Sequence, residues 1–196
     1  MKILAVTWDD IQSSLLALAN KVSESGFYPE MIVGIARGGW VVARILSDLL
    51  DVKDLASVKI EFYKGVNDKE RAPKITQPLS ESPKGKLVLI ADDVADTGES
   101  LLLARRHIED QGARVTKVAT IHLKPWSRVV PDYYVNMTDN WVMYPWEVRE
   151  TLEHLIKIWS EETKDPHELR ERLASTGISL VLIDRYLTSK NSQVSP

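Results

Sequence analysis

The chain has no cysteine among its 196 residues. That excludes a disulfide-stapled scaffold, a thiol nucleophile and a thiolate-held zinc. It also lacks any apolar run near the ~18 residues that a membrane-spanning helix needs. Its first ten residues, MKILAVTWDD, hold too short an apolar stretch for a secretory leader. A cytoplasmic protein without a membrane partner is the expectation. Positive charge is not in excess either. The net charge of −3 argues against a protein that wraps nucleic acid or binds membranes through a polybasic patch. The four histidines, His107, His122, His154 and His167, have no metal-ligand spacing. No internal repeat is visible. What remains is ordinary globular composition, 44% hydrophobic and 27% charged. The length suits one α/β domain with a small appendage.

Periodicity supplies the element order. Ile11, Leu15, Leu18 and Val22 share one helical face in 8–25, and Thr7 with Asp10 three places on is a helix-start signal. Met31–Ile35 reads as a buried strand, Arg37-Gly38-Gly39 as a tight turn and 40–50 as a helix. Strands follow at 58–63, 87–91 and 115–123, with a helix over 100–111 that Gly112 can end. Strands alternating with helices mean a mostly parallel sheet flanked by helices, with ligands beyond the carboxyl ends of the strands. Between Tyr63 and Lys86 the pattern lapses into polar residues and breakers, and a long loop is expected there. Beyond Glu147, helical spacing returns in 148–159, again after Asp165-Pro166, and in Leu180, Ile183 and Leu187, although Ile178–Ile183 also reads as a strand.

The densest chemistry lies in 88–100, VLIADDVADTGES. Four apolar residues lead into Asp92 and Asp93, and a Thr97-Gly98-Glu99-Ser100 turn opens onto a helix. A helix start carries unsatisfied N–H groups and about half a positive charge, so it can hold a phosphate. A carboxylate pair only accepts hydrogen bonds, which matches two adjacent sugar hydroxyls or a Mg²⁺ ion. Gly98 lets the backbone come close to an anion.

This stretch resembles the phosphoribosyl-pyrophosphate (PRPP) signature of the type I phosphoribosyltransferases. Gly34–Gly39 resembles that family's pyrophosphate loop. Lys124-Pro125 and Trp141–Glu147 resemble the base-binding hood of its 6-oxopurine branch, especially archaeal members. The resemblance covers roughly residues 1–147. It implies a core over 1–147 with a flexible lid (64–85) and a hood (124–147), a helical extension over 148–190 and a tail over 191–196. It also implies residue roles. Asp92 and Asp93 would hold the ribose hydroxyls, and Asp96, Thr97, Gly98, Glu99 and Ser100 the 5-phosphate. Ala36, Arg37, Gly38 and Gly39 would hold the pyrophosphate, with a cis peptide between Ala36 and Arg37. Lys124 would donate to a purine 6-oxo group, Trp141 would stack on the base, and the Val142 backbone would read a ring edge. Glu147 would help hold Mg²⁺, and Asp96 would be the general acid/base. Trp40, Trp126 and Trp146 are read as packing residues.

The implied reaction is transfer of 5-phosphoribosyl from PRPP to a purine, releasing pyrophosphate, by a Mg²⁺-dependent homodimer. The base is less clear. Lys124 favours hypoxanthine, guanine or xanthine. The residues beyond 147 resemble the three-helix extension of crenarchaeal adenine-using relatives, and tip the expectation narrowly to adenine. A PRPP-binding regulator and an acidic-pocket Mg²⁺ phosphatase are the readings from other classes.

Overall fold

The computed structural model describes residues 2–64, 71–163 and 165–192. Residues 65–70, within the segment read as a lid, lie outside the described residues, as do 193–196 of the expected tail. By contacts the chain forms two compact units: Ile11–Asp139, and Met1–Asp10 together with Asn140–Pro196.

The larger unit is a six-stranded sheet. Its strands are β2 (Met31–Ala36), β3 (Leu55–Lys64), β4 (Arg71–Gln77), β5 (Leu87–Ala95), β6 (Val115–Leu123) and β7 (Tyr133–Met137), numbered after the short β1 (Ile3–Ala5). They lie in the order β4-β3-β2-β5-β6-β7. All neighbours are parallel except β3 and β4. Three helices flank the sheet: α1 (Trp8–Glu24), α2 (Gly38–Leu49) and α3 (Glu99–Asp110). Leu101, Ala104 and Ile108 of α3 share a core with Met31, Val33 and Ile35 of β2 and with Val88 and Ile90 of β5. Strand residues alternate faces, so the side chains between these turn to the other side. There a β-carbon on Gly34 would lie 2.8 Å from Ala43 Cβ of α2, and a bare glycine is what lets this helix lie so close. Thr7 and Asp10 form the expected reciprocal cap of α1, the Asp10 N–H reaching Thr7 Oγ1 at 3.1 Å and the Thr7 N–H reaching Asp10 Oδ2 at 2.9 Å.

Two local features differ from the sequence reading. Arg71–Gln77 is strand β4 rather than loop, paired antiparallel with β3. As the outermost strand it tolerates Pro73 and its polar neighbours, which would be excluded from a central strand. Strand β5 does not stop at Ala91. It runs on to Ala95, with Asp92 opposite Thr120 and Val94 opposite His122 on β6. The acid pair is therefore part of the strand.

The smaller unit pairs β1 with β8 (Trp141–Met143) in parallel, Ile3 opposite Trp141. It carries α4 (Val148–Glu162), α5 (Pro166–Ala174) and α6 (Leu180–Ser192). Met143, Leu152, Leu155, Leu173, Ile178, Ile183 and Tyr186 form its core, with Ile3 and Ala5 packed against them. Proline at the first turn and the Asp165 side chain, which accepts from the His167 N–H at 2.9 Å, start α5 as expected. The ambiguous segment from Leu180 is helical, and residues 191–192 continue it.

Candidate anion-binding site at the β2/β5 switch

The chain leaves β2 toward β3 on one side, and β5 begins the run to β6 and β7 on the other. The crevice between β2 and β5 is thus a topological switch point, where ligands bind in open α/β sheets. Both motifs converge there. Arg37 is the N-cap of α2, so Gly38 and Gly39 are its first two helical residues, and the Arg37 side chain makes no capping hydrogen bond. The Ala36–Arg37 peptide is cis. A β-carbon on Gly39 would lie 2.7 Å from Asp92 Oδ1 and 2.5 Å from the Ala91 carbonyl oxygen, and one on Gly38 would overlap the Asp93 carboxylate. The two glycines are therefore required by the two acids beside them. Sequence spacing alone could not reveal this pairing, because more than fifty residues separate the motifs.

A cavity of about 480 Å³ is lined by Asp92, Asp96, Thr97, Gly98, Glu99 and Ser100, together with Phe62, Val94, Leu101 and Arg128. Every residue assigned to a 5-phosphate from the sequence is on its wall. Asp92 joins them, and its neighbour Asp93 is buried beside Gly38. Gly98 caps α3 with φ of 83°, a left-handed conformation that favours glycine. The Thr97 hydroxyl lies 3.4 Å from the Glu99 N–H. Arg128, which the sequence reading passed over, meets Glu99 at 3.5 Å. That pair is exposed and worth little to stability, but it puts a guanidinium at the cavity wall.

The segment after β6 is tied to this loop by backbone. The Lys124 N–H donates to the Ala95 carbonyl at 2.9 Å, and the Arg128 N–H to the Thr97 carbonyl at 3.0 Å. Lys124 is buried, at 7% exposure. Burial pulls its pKa below the ordinary lysine value, and the carboxylates of Asp96 and Asp139 pull it back up. Burial, then the charge of Lys124, lowers His122 to about 4, so it is neutral at pH 7. Trp126 is not the packing residue expected. It is 54% exposed, and its indole N–H donates to Asp96 Oδ1 at 2.8 Å. Trp40 is also partly exposed, at 41%, whereas Trp146 does pack, stacked on Tyr144 with ring centroids 4.9 Å apart.

Trp141, Val142 and Glu147 belong to the smaller unit. Trp141 stacks on His154 of α4, with ring centroids 5.0 Å apart and 7° between planes, yet stays 41% exposed. Val142 is buried on β8. Glu147 is the N-cap of α4, with one carboxylate oxygen 3.4 Å from the Tyr144 N–H. No helix among the described residues is long and apolar enough to cross a membrane.

Comparison with known proteins agrees with this geometry. A curated xanthine-guanine phosphoribosyltransferase from Cereibacter sphaeroides is 32% identical over 153 residues, which span 73% of this chain and 86% of that protein. The crystal structure of a purine phosphoribosyltransferase from Pyrococcus horikoshii matches at TM-score 0.68 and 39% identity, covering 74% of this chain and 94% of that one. A hypothetical protein from Neisseria gonorrhoeae with bound ppGpp matches at TM-score 0.66 and 26% identity, covering 91% of this chain and 99% of its own. The architecture is the type I phosphoribosyltransferase fold. The phosphoribosyl transferase domain family matches residues 7–154. The cavity is lined by the start of α3 and not by Arg37, Gly38 or Gly39, and the match over three quarters of the chain shows that the chain belongs to this family.

Proposed function

We propose that the protein is a phosphoribosyltransferase of purine salvage, moving 5-phosphoribosyl from PRPP to a 6-oxopurine and releasing pyrophosphate. The observation that carries this reading is the cavity at the end of β5, where Asp92 and the start of α3 share one wall. A phosphate at the first turn of α3 meets N–H groups and the hydroxyls of Thr97 and Ser100. Asp92, with Asp93 behind it, accepts from the ribose hydroxyls. Arg37 and the first amides of α2 hold the pyrophosphate as its negative charge grows on leaving the anomeric carbon. Asp96 takes the proton from the imidazole-side nitrogen of the purine as that nitrogen bonds to the sugar. The segment 64–85 serves as a lid that keeps water, the competing nucleophile, from the sugar cation.

The family implies Mg²⁺. Within Ile11–Asp139, Asp92 on the cavity wall is a hard oxygen donor; in the smaller unit, Glu147 at the start of α4 is another. One or two carboxylates completed by substrate oxygens and water suit this ion. When bound, it neutralises charge on the departing pyrophosphate.

Two observations move the base from adenine to hypoxanthine, guanine or xanthine. The Cereibacter sphaeroides relative is named for xanthine and guanine. Lys124 is a buried donor, suited to a 6-oxo acceptor and not to the 6-amino group of adenine. The expectation of adenine rests on the resemblance of the extension over 148–190 alone. Turnover of adenine, hypoxanthine, guanine and xanthine with PRPP and Mg²⁺ tests the assignment, and adenine as the preferred base overturns it. Light scattering tests the homodimer that accompanies this reading. A second reading, binding of ppGpp, is favoured by the Neisseria gonorrhoeae match, which extends over 91% of this chain. Competition of ppGpp against PRPP measures it.

A further inference from the structure

Trp126 occupies a position that packing does not explain. Its indole is more than half exposed, a costly place for a large aromatic ring unless its N–H is used. That N–H reaches Asp96 Oδ1 at 2.8 Å. The Lys124 ammonium lies over the same ring, 5.4 Å from its centroid. The frame beneath is rigid. Two backbone hydrogen bonds tie 124–128 to 95–97, and the Ser127 N–H donates to the Lys124 carbonyl at 3.0 Å. Gly98 leaves the room this needs, since a β-carbon there would lie 2.9 Å from the Val129 nitrogen and 3.0 Å from Ser127 Oγ.

We propose that Trp126 is a positioning residue for Asp96, its indole N–H engaging one carboxylate oxygen so that the other is presented to the purine. The inference rests on the reading of Asp96 as the acid/base. An indole N–H suits the task because it only donates and does not compete for the proton being moved. A bond from it to a carboxylate is charge-assisted and directional, enough to hold one side-chain rotamer. The cation over the ring links the group that reads the base to the group that takes its proton. A shift of one is then felt by the other.

The test is a double-mutant cycle between Trp126→Phe, which keeps a ring under Lys124 and removes the N–H, and Asp96→Asn. The single Trp126→Phe change lowers kcat about tenfold while KM for PRPP and for the base stay within about twofold, the mark of an interaction that matters in the transition state. In the Asp96→Asn background the same change costs nothing further, because the carboxylate it positions is gone. Wild-type kcat in Trp126→Phe overturns the proposal. So do losses that multiply in the double variant, which would show Trp126 acting independently of Asp96. If Asp96→Asn alone leaves turnover intact, the acid/base reading itself fails and takes the proposal with it. Additive losses with an impaired Asp96→Asn overturn the positioning role alone.

Discussion

The two units present their candidate site residues by different means. In Ile11–Asp139 the work falls on backbone: two helix starts, two glycines pressed against two carboxylates, and a strand that carries its acids to the edge of a cavity. In the unit made from the chain's two ends, it falls on rings. Trp141 stacks on His154, and Trp146 stacks on Tyr144 and leans on Trp8. Backbone geometry can grip phosphates because every phosphate offers the same charge and oxygens. Flat aromatic faces suit a flat ligand such as a purine and leave its identity to a few polar neighbours. The first kind of site should therefore be intolerant of small changes, and the second should degrade by degrees.

Substitutions can break or sharpen this contrast. The largest effect is expected from Asp96→Asn, which should lower kcat about 100-fold or more while leaving PRPP affinity nearly unchanged by titration. An equal loss of affinity would mark Asp96 as a binding group. Next is Gly39→Ala. One methyl group there meets the Ala91 carbonyl and Asp92, and the turn must shift. KM for PRPP should rise about tenfold, equivalent to ~1.4 kcal/mol, in steady-state kinetics. The ring-built region should respond more gently. His154→Ala should raise KM for the base about threefold, with PRPP unaffected, and His154→Phe should restore most of it, since ring contacts of this kind are worth roughly 0.5–1.5 kcal/mol. An unchanged KM in His154→Ala would separate the Trp141 stack from base binding.

The last prediction concerns stability rather than activity, through pH. His122, lowered to about 4, stays neutral in the folded chain, whereas the unfolded chain takes up a proton near the ordinary value of 6.5. Its contribution to stability is therefore present above about 6.5 and is lost as pH falls toward 4. Urea midpoints measured at pH 7 and 4.5 should drop, and the drop should be smaller in His122→Gln.

Much of the larger unit could be read from residues alone. The apolar runs Met31–Ile35 and Val88–Ala91 are β-strands, and the acid pair followed by Asp-Thr-Gly-x-Ser marks the start of α3. What escaped has physical causes. Periodicity does not show a strand where polar residues pair at its end, so β5 looked four residues too short. Pro73 and its charged neighbours concealed β4, because an outer strand obeys looser rules. β1 and β8 are three residues each and acquire meaning only through each other. Trp126 was taken for packing because an isolated tryptophan usually is. Its hydrogen bond to Asp96 depends on a loop closing across thirty residues. Of the aromatic pairs in the smaller unit, Trp8 with Trp146 joins opposite ends of the chain.

The pairing of β1 with β8 also bears on how the protein is made. Ile3–Ala5 leave the ribosome well over a hundred residues before their partners Trp141–Met143. Residues 11–139 contain all the strands of the large sheet and can close it beforehand, since domains tend to fold as units during translation. β1 must therefore stay unpaired until β8 has emerged. A change that slows this pairing acts on a late step, after the sheet of residues 11–139 can already be complete.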